Sequence, residues 1–213
     1  IRIRNAIKVW MSKKSEGLEK PEIFDVDRKT SRPSNLSQDV FMSKSQYGLI
    51  GYPLGHSLSP VMHNTAFKEL GVKDAEYVLF PMEKAEIEPF FKDLKRSDSP
   101  IFGLNVTVPH KENVIPFLDA LNPFAEKVGA VNTVVIGKDR RLVGYNTDGP
   151  GFLAHLTETG FNPSGKRIAI LGAGGASRAL ISVFCLLPDR PESLRLYDID
   201  RARAAALLHD LGQ

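Results

Sequence analysis

The sequence predicts an α/β fold in two successive parts, each built on a largely parallel sheet. Apolar segments of strand length alternate with helical segments from residue 47 onward, and strands that are separated by helices form parallel sheets. A glycine cluster at residues 172–175 stands between one such strand and the next helix, which is typical of a Rossmann-like domain. With 42% apolar and 25% charged residues in a chain of 213, the composition is that of a globular protein that needs no disulfides to fold.

Local signals predict the elements of the first part. An apolar strand at 47–52 ends at Pro53, and Ser59 with Pro60 supplies the N-cap and first turn of a helix that Gly71 closes. Further strands are predicted at 75–80, 101–108, 131–136 and 141–145, and further helices at 87–94 and 152–158. The last two strands flank turn residues at 137–140, so we expect a hairpin there.

The second part is predicted to run strand, helix, strand, helix. These elements are expected at 167–171, 176–187, 193–197 and 201–211. Only 42 residues follow Leu171, whereas a doubly wound sheet has up to six strands. We therefore expect an incomplete Rossmann domain, and a chain that is a fragment or a truncated product. The predicted domains are 1–46 as an extension, 47–148, and 149–213.

Residues 1–46 differ from the rest in charge and composition. They carry ten Lys or Arg against six Asp or Glu and are rich in Ser, Lys and Pro, so we expect a flexible basic extension. A pre-sequence, translated upstream sequence or an anion-binding arm are alternatives. Residues 47–213 carry eighteen basic and nineteen acidic residues, which argues against a nucleic-acid partner.

The sequence also argues against a membrane protein. No run approaches eighteen apolar residues, so no transmembrane helix is predicted. The lone Cys185 fits a reducing compartment, and we expect a cytoplasmic protein. No Cys/His cluster has the spacing of a metal site. The oligomeric state stays open.

The glycine cluster predicts a dinucleotide site. Gly172 permits a tight turn, Gly174 lets backbone N–H groups approach a pyrophosphate, and the helix that follows directs its positive end at that anion. Candidate binding residues are Gly172, Ala173, Gly174, Gly175, Ala176 and Asp198. Asp198 ends the next strand, where an acid binds a ribose 2′-hydroxyl and repels a 2′-phosphate. We therefore favour NAD over NADP, although Asp198 could merely cap its own turn, and Arg201 or Arg203 could instead hold a 2′-phosphate.

Three polar segments lie at strand ends of the first part. They span residues 51–60, 105–112 and 130–133, the last continued by 144–149. Their hydroxyls and amides suit a polyol or a carboxylate, although each segment alone also reads as a capped turn. A separate domain before a dinucleotide site suggests an oxidoreductase whose small-molecule substrate binds between the two.

Together these segments resemble the shikimate dehydrogenase family. The matching motifs, in the family's order, are Ser57–Pro60, Asn105–Lys111, Ala130–Thr133, Gly144–Gly149 and Gly172–Gly175. The resemblance implies reversible NAD(P)-dependent reduction of 3-dehydroshikimate to shikimate in aromatic amino acid biosynthesis. It implies Lys111 and Asp148 as the catalytic pair. It assigns the substrate's carboxylate and hydroxyls to Ser57, Ser59, Asn105, Thr107, Asn132 and Asp148.

The chain also departs from that family's pattern. Where NADP-dependent members carry an Asn-Arg-Thr-like motif, this chain has Asp198, Ile199 and Asp200, which looks like the NAD-using quinate/shikimate branch. Alternatives to shikimate dehydrogenation are therefore quinate oxidation in quinate catabolism, a ligand-sensing regulator without turnover, and an inactive truncated homologue.

The other reactive or apolar side chains are assigned structural roles. We expect Cys185 to be a buried thiol in an apolar helix, and Met62, Phe67 and Leu70 to form the core face of theirs. His56 and His110 are interpreted as loop residues without a catalytic or metal-binding role.

Overall fold

A computed structural model of the chain describes residues 44–211. The strands are β1 (Ser45–Gly51), β2 (Ala75–Pro81), β3 (Ile101–Val106), β4 (Ala120–Leu121), β5 (Thr133–Ile136), β6 (Leu142–Tyr145), β7 (Arg167–Leu171) and β8 (Ser193–Tyr197). The helices are α1 (Ser59–Glu69), α2 (Ile87–Leu94), α3 (Pro123–Val128), α4 (Asp148–Glu158), α5 (Gly175–Leu186) and α6 (Arg201–Leu211). Short 3₁₀ turns lie at Lys84–Glu86 and Ile115–Phe117. The expected N-terminal extension lies, apart from residues 44–46, outside the described residues.

The first sheet has six strands in the order β2-β1-β3-β5-β6-β4. Strands β2, β1 and β3 are parallel, and the predicted hairpin is confirmed as the antiparallel pair β5–β6. The parallel strands end at one edge of the sheet, where Leu49 of β1 lies opposite Asn105 of β3. The polar segments that follow β1 and β3 therefore begin side by side.

The core of this sheet is built by its apolar strand residues and by α2. Ile50, Leu104, Val134 and Leu142 are buried together with Phe91, one of the three buried residues of α2. Burial of a side chain of this size stabilises the fold by about 1.5–3 kcal/mol. This core fixes the strands whose ends carry the polar segments.

The second sheet pairs β7 with β8 in parallel, which confirms the expected strand–helix–strand order. Ile170 packs with Ile181 and Phe184 of α5 and with Leu207 of α6. On the opposite face Leu171 and Tyr197 are 79% and 62% exposed. Within residues 44–211, helices therefore cover one face of this two-stranded sheet.

Helix α4 begins four residues earlier than predicted. Its first turn holds Gly149, Pro150 and Gly151. Glycine and proline destabilise a helix interior, so the sequence pattern predicts a helix only after these residues. Proline is nevertheless compatible with a first helical turn, because the N–H it lacks has no intrahelical partner there. The early start makes Asp148 the first residue of the helix.

Two burial predictions are wrong. Met62 and Leu70 are 58% and 72% exposed, and α1 has no buried residue. Phe67, the third residue of the expected core face, is half-buried and packs against Leu49, Leu54 and Tyr77. The helix also meets β2 through His63 and Asn64, and Leu70 lies past its end as the C-cap. Cys185 is exposed as well, because the buried side chains of α5 end at Phe184.

Between residues 44 and 211, no helix combines the length and the apolar character that crossing a membrane requires.

Candidate active site

Lys111 and Asp148 meet although 37 positions separate them. Lys111 lies in the turn after β3 and Asp148 opens α4, and Lys111 Nζ donates to Asp148 Oδ2 at 2.5 Å. Their side chains are only 15% and 27% exposed. Partial burial reduces solvent screening, so this ion pair is stronger than one on the open surface. The arrangement places an ammonium donor beside a carboxylate in a partly closed site.

Backbone hydrogen bonds tie together the segments that carry the pair. Val131 N–H donates to the Lys111 carbonyl at 2.7 Å. The buried Asn146 side chain donates to the Ala130 carbonyl at 3.0 Å and accepts from Asp148 N–H at 3.1 Å. A buried amide whose donor and acceptor are both engaged holds its neighbours in one arrangement. The position of Asp148 therefore depends on Asn146, to which the sequence assigned no role.

Asn132 connects the pair to the neighbouring segments. Its Nδ2 donates to Asp148 Oδ1 at 2.8 Å, and its Oδ1 accepts from the backbone N–H of Thr147 at 2.9 Å. Asp148 thus binds Lys111 with one oxygen and Asn132 with the other. The predicted substrate residue Asn132 lies in direct contact with the predicted catalytic residue Asp148.

The hydrogen bonds continue from Asn132 into the sheet. Thr133 Oγ1 donates to Asn132 Oδ1 at 3.0 Å and accepts from Asn105 Nδ2 at 3.4 Å. Asn105 Oδ1 accepts from Tyr77 Oη at 2.7 Å. Neither Thr133 nor Tyr77 was assigned a role from the sequence, because Tyr77 fits the apolar pattern of β2 and Thr133 suits any strand.

The other predicted substrate residues lie at the ends of the same strands. Ser57 follows β1, and its Oγ accepts from the N–H of Ser59, the first residue of α1, at 3.3 Å. Thr107 follows β3 and donates its N–H to the Ile50 carbonyl at 2.9 Å. Among the described residues, no hydrogen bond links these three side chains directly to Lys111 or Asp148. They share an edge of the sheet with the pair without being part of its network.

Gly51 is required where β1 approaches β3. A Cβ built on Gly51 would lie 2.4 Å from Thr107 Cγ2, closer than side-chain carbons approach in folded proteins. Glycine therefore permits Thr107 to sit against the end of β1.

His110 is a fully buried residue of the turn that carries Lys111. Its Nε2 is 2.7 Å from the Met82 carbonyl oxygen, and because a carbonyl only accepts, that nitrogen must carry a proton. The ring thereby fastens the turn before Lys111 to the end of β2. The other histidine considered, His56, is exposed.

The glycine loop has the shape that a dinucleotide requires. Gly172 has a φ of +96°, a conformation that glycine adopts without strain. Gly174 is the N-cap of α5, and no side chain caps the helix. The first N–H groups of α5 are therefore available to an anion.

Asp198 is bound to this loop rather than free. Its Oδ2 accepts from Ala173 N–H at 2.6 Å, and its Oδ1 accepts from Asp200 N–H at 2.8 Å. The hydrogen bond from the Asp200 N–H, and to a smaller extent that from the Ala173 N–H, stabilises the ionised carboxyl and holds the pKa of Asp198 below its usual range. Asp198 is thus a carboxylate at neutral pH, whereas the Ala173 N–H is already taken.

The glycine loop also touches the turn that carries Lys111. A Cβ built on Gly175 would lie 3.2 Å from Lys111 Cβ and 3.3 Å from Lys111 Cδ, so the Lys111 stem rests against the start of α5. Arg178 lies one turn along α5, and its Nη2 forms ion pairs with Glu112 Oε2 at 3.9 Å and with Asp210 Oδ2 at 2.8 Å. The glycine loop therefore lies directly against the side chain of Lys111.

The donor set around the glycine loop fits a dinucleotide. Glycine backbone, an uncapped helix start and a strand-end carboxylate are the groups that hold a pyrophosphate and a ribose. Among residues 44–211, no three His, Cys, Asp or Glu side chains group as a metal site would require.

Comparison with known proteins finds similarity to shikimate dehydrogenases. The pattern of the shikimate dehydrogenase substrate binding domain matches residues 49–134. The shikimate dehydrogenase (NADP(+)) of Moorella thermoacetica is 52% identical over 141 residues, which are 66% of this chain and 46% of that protein. This chain is similar in sequence to the shikimate dehydrogenases, and the similarity includes their substrate binding domain. It spans about half the length of the curated relatives it matches.

Solved structures of the shikimate dehydrogenase family confirm the predicted fold class. Shikimate 5-dehydrogenase from Thermus thermophilus, in complex with NADP(H) and shikimate, matches with a TM-score of 0.67 and 35% identity over 78% of this chain and 60% of that one. The Listeria monocytogenes enzyme, in complex with shikimate and NAD, matches with a TM-score of 0.68 and 35% identity over 83% and 60%.

Proposed function

We propose that this chain catalyses the reversible NAD(P)-dependent reduction of 3-dehydroshikimate to shikimate, the step that serves aromatic amino acid biosynthesis. The observation that carries the proposal is the 2.5 Å contact between Lys111 Nζ and Asp148 Oδ2, with the Lys111 stem against Gly175 of the dinucleotide loop. Interconversion of an alcohol and a ketone needs a proton donor and acceptor beside the hydride carrier. Two of the family's solved structures hold shikimate together with NADP(H) or NAD.

Lys111 is the proposed acid and base. When bound, the dinucleotide gives or takes the hydride. In reduction, the Lys111 ammonium stabilises the carbonyl oxygen and passes it a proton; in oxidation, the neutral amine takes the proton from the substrate hydroxyl. Asp148 orients Lys111 through Oδ2 and binds a substrate hydroxyl. Asn132, already bonded to Asp148 Oδ1, keeps the carboxylate in place.

The remaining substrate contacts are proposed at the strand ends. The hydroxyls of Ser57, Ser59 and Thr107 and the amide of Asn105 would hold the carboxylate and ring hydroxyls. Support comes from Asn105, which lies at the end of β3 beside β1. Thr107 directly follows β3, and Ser57 and Ser59 lie in the loop after β1 and at the start of α1. A site with several hydrogen-bonding groups of this kind selects a polyhydroxylated acid, because an analogue that lacks a hydroxyl leaves a site group unpaired.

The proposed cofactor is NAD, with NADP as the alternative. Gly174, Gly175 and Ala176 would hold the pyrophosphate through backbone N–H groups. Gly172, whose own N–H donates to the Tyr197 carbonyl at 2.8 Å, would supply the tight turn that brings these groups to the anion. The Asp198 carboxylate would bind the ribose and repel a 2′-phosphate, and Ile199, which is 92% exposed, adds no charge there. Two observations favour NADP instead. The Moorella relative is named for NADP(+). In addition, Arg203 Nη2 would lie 3.6 Å from a Cβ built on Gly174, so its positive charge is close to the glycine loop and could serve a 2′-phosphate.

We further propose that residues 47–148 form the substrate-binding domain and residues 149–213 the part that binds the dinucleotide, with 1–46 as an extension whose last two residues open β1. A cytoplasmic location remains a proposal that rests on the lone cysteine.

The test is binding and turnover measured on the same chain. Shikimate or quinate is offered with NAD or NADP, turnover is followed by nicotinamide absorbance, and shikimate binding is followed by calorimetry. We expect shikimate to bind and to reduce NAD preferentially. A higher kcat/KM with quinate supports the quinate alternative, and binding without turnover supports a sensor. Absence of both binding and turnover contradicts the proposal.

A further inference from the structure

The side-chain hydrogen bonds around Asn132 run in one fixed direction. At one end, the Thr147 peptide N–H can only donate to Asn132 Oδ1, and the Asp148 carboxylate can only accept from Asn132 Nδ2. The Asn132 amide therefore cannot rotate by half a turn without losing both bonds. Its Oδ1 must then accept from the Thr133 hydroxyl as well.

The direction set at Asn132 is passed on to Asn105. Because the Thr133 hydroxyl donates its proton to Asn132 Oδ1, it accepts from Asn105 Nδ2. Asn105 Oδ1 is thereby left facing Tyr77, where it accepts from the Tyr77 hydroxyl at 2.7 Å. The Tyr77 hydroxyl must be the donor, and it terminates a chain of hydrogen bonds that begins at Asp148.

Tyr77 is held in place by two consecutive residues of α1. Strand β2 is the outermost strand of its sheet, and the Asn64 side chain accepts from Tyr77 N–H at 2.8 Å and donates to the Tyr77 carbonyl at 2.9 Å. Asn64 thus replaces the missing neighbouring strand at this position. The His63 ring stacks on the Tyr77 ring, with centroids 4.1 Å apart and an interplanar angle of 12°.

Burial keeps the hydroxyl in its donor form. Tyr77 is 4% exposed, and this burial raises the pKa of the Tyr77 hydroxyl to about 12. The hydroxyl consequently stays protonated throughout the neutral range, and it donates continuously to Asn105.

We propose that Tyr77 is a positioning residue that holds the Asn105 amide in the orientation fixed from Asn132, and through Thr133 and Asn132 contributes to the placement of Asp148. This inference rests on the proposed function, because Asn105 is taken as a shikimate ligand. With Oδ1 held by Tyr77 and one Nδ2 hydrogen donated to Thr133 Oγ1, the second Nδ2 hydrogen is the one that the proposed site offers to shikimate. Tyr77 itself is not a catalytic residue.

The test is Tyr77→Phe, which removes only the hydroxyl. Loss of this hydrogen bond is expected to raise the Kd of shikimate about 3- to 10-fold, with the Kd of NAD unchanged. Tyr47→Phe is the matched control, because Tyr47 lies opposite Tyr77 in the register of β1 and β2, and within residues 44–211 its hydroxyl makes no hydrogen bond. The control should bind shikimate like the unmodified chain. An unchanged shikimate Kd in Tyr77→Phe would overturn the inference.

A double-mutant cycle separates positioning from general packing. In an Asn105→Ala background, Tyr77→Phe should raise the shikimate Kd by less than about twofold, because its hydrogen-bond partner is gone. An equal loss in both backgrounds would show that Tyr77 acts through packing and would overturn the inference.

A measurement without substrate distinguishes this inference from the proposed function. The side-chain amide resonances of Asn105 and Asn132 should both shift in Tyr77→Phe and remain in place in Tyr47→Phe. If the unmodified chain binds no shikimate, the proposed function fails, whereas shifts at both amides still support the relay. If neither amide shifts, the relay is contradicted whatever the substrate does.

Discussion

Replacing Asp148 with asparagine tests the hydrogen-bond pattern of the proposed active site. Asp148 accepts from two donors, Lys111 Nζ at 2.5 Å and Asn132 Nδ2 at 2.8 Å. Asn132 is prevented from rotating by the Thr147 N–H, and Lys111 has only donors. An asparagine offers one oxygen and one amino group, so one of the two donors must face another donor.

The expected loss follows from the bond that is broken. A hydrogen bond to a charged group contributes about 1.5–3 kcal/mol, which corresponds to a fall in kcat/KM for shikimate of about 10- to 160-fold. Nicotinamide absorbance measures it, and thermal melting checks that the variant is folded. Asp98→Asn is the control, because Asp98 pairs with Arg96 on the open surface. A folded Asp148→Asn variant with kcat/KM within about twofold of the unmodified chain would refute the reasoning.

Three further outcomes are expected. Gly129 ends α3 with a φ of +65°, a conformation that strains an alanine. Gly129→Ala should therefore lower the free energy of unfolding, measured by urea titration, by about 1 kcal/mol, and an unchanged free energy would contradict this expectation. The Lys95 hydrogen bond and the Leu142 N–H hold the pKa of Asp119 below its usual range. The ionised Asp119 therefore stabilises the fold at neutral pH, and this stabilisation is lost as pH falls below about 4. In Asp119→Asn the melting temperature should fall less between neutral and acidic pH than in the unmodified chain. An equal fall in both proteins would contradict this role of Asp119. Asp198→Asn should raise the NADP-to-NAD ratio of kcat/KM about fivefold; an unchanged ratio would remove the charge argument.

The sequence predicted which loops build the site but not how their side chains connect. Lys111 and Asp148 stand in motifs whose order matched a family, and parallel strands end at a common edge, so a meeting of the two was a reasonable expectation. The hydrogen-bonded connection through Asn132 depends on amide orientation, which no spacing rule encodes. Tyr77 was missed because its ring satisfies the apolar pattern of β2, and only the folded structure shows where its hydroxyl points.

The fold was predicted best where periodicity is long and worst where elements are short. The β5–β6 hairpin and the β7–α5–β8–α6 order were evident from apolar runs and turn residues. Helix α3, with six residues, and strand β4, with two, are too short to give a periodic pattern. The exposed Met62 could not be foreseen, because an amphipathic pattern does not reveal that α1 contacts its sheet through a polar residue such as Asn64.

The most direct test of the Lys111–Asp148 assignment is the turnover of Lys111→Ala compared with its ligand binding. Loss of the proton donor should lower kcat by about 10²- to 10⁴-fold, while the Kd of NAD stays the same because the loop N–H groups are untouched. An alanine variant that binds both ligands and retains its kcat would show that proton transfer takes place elsewhere.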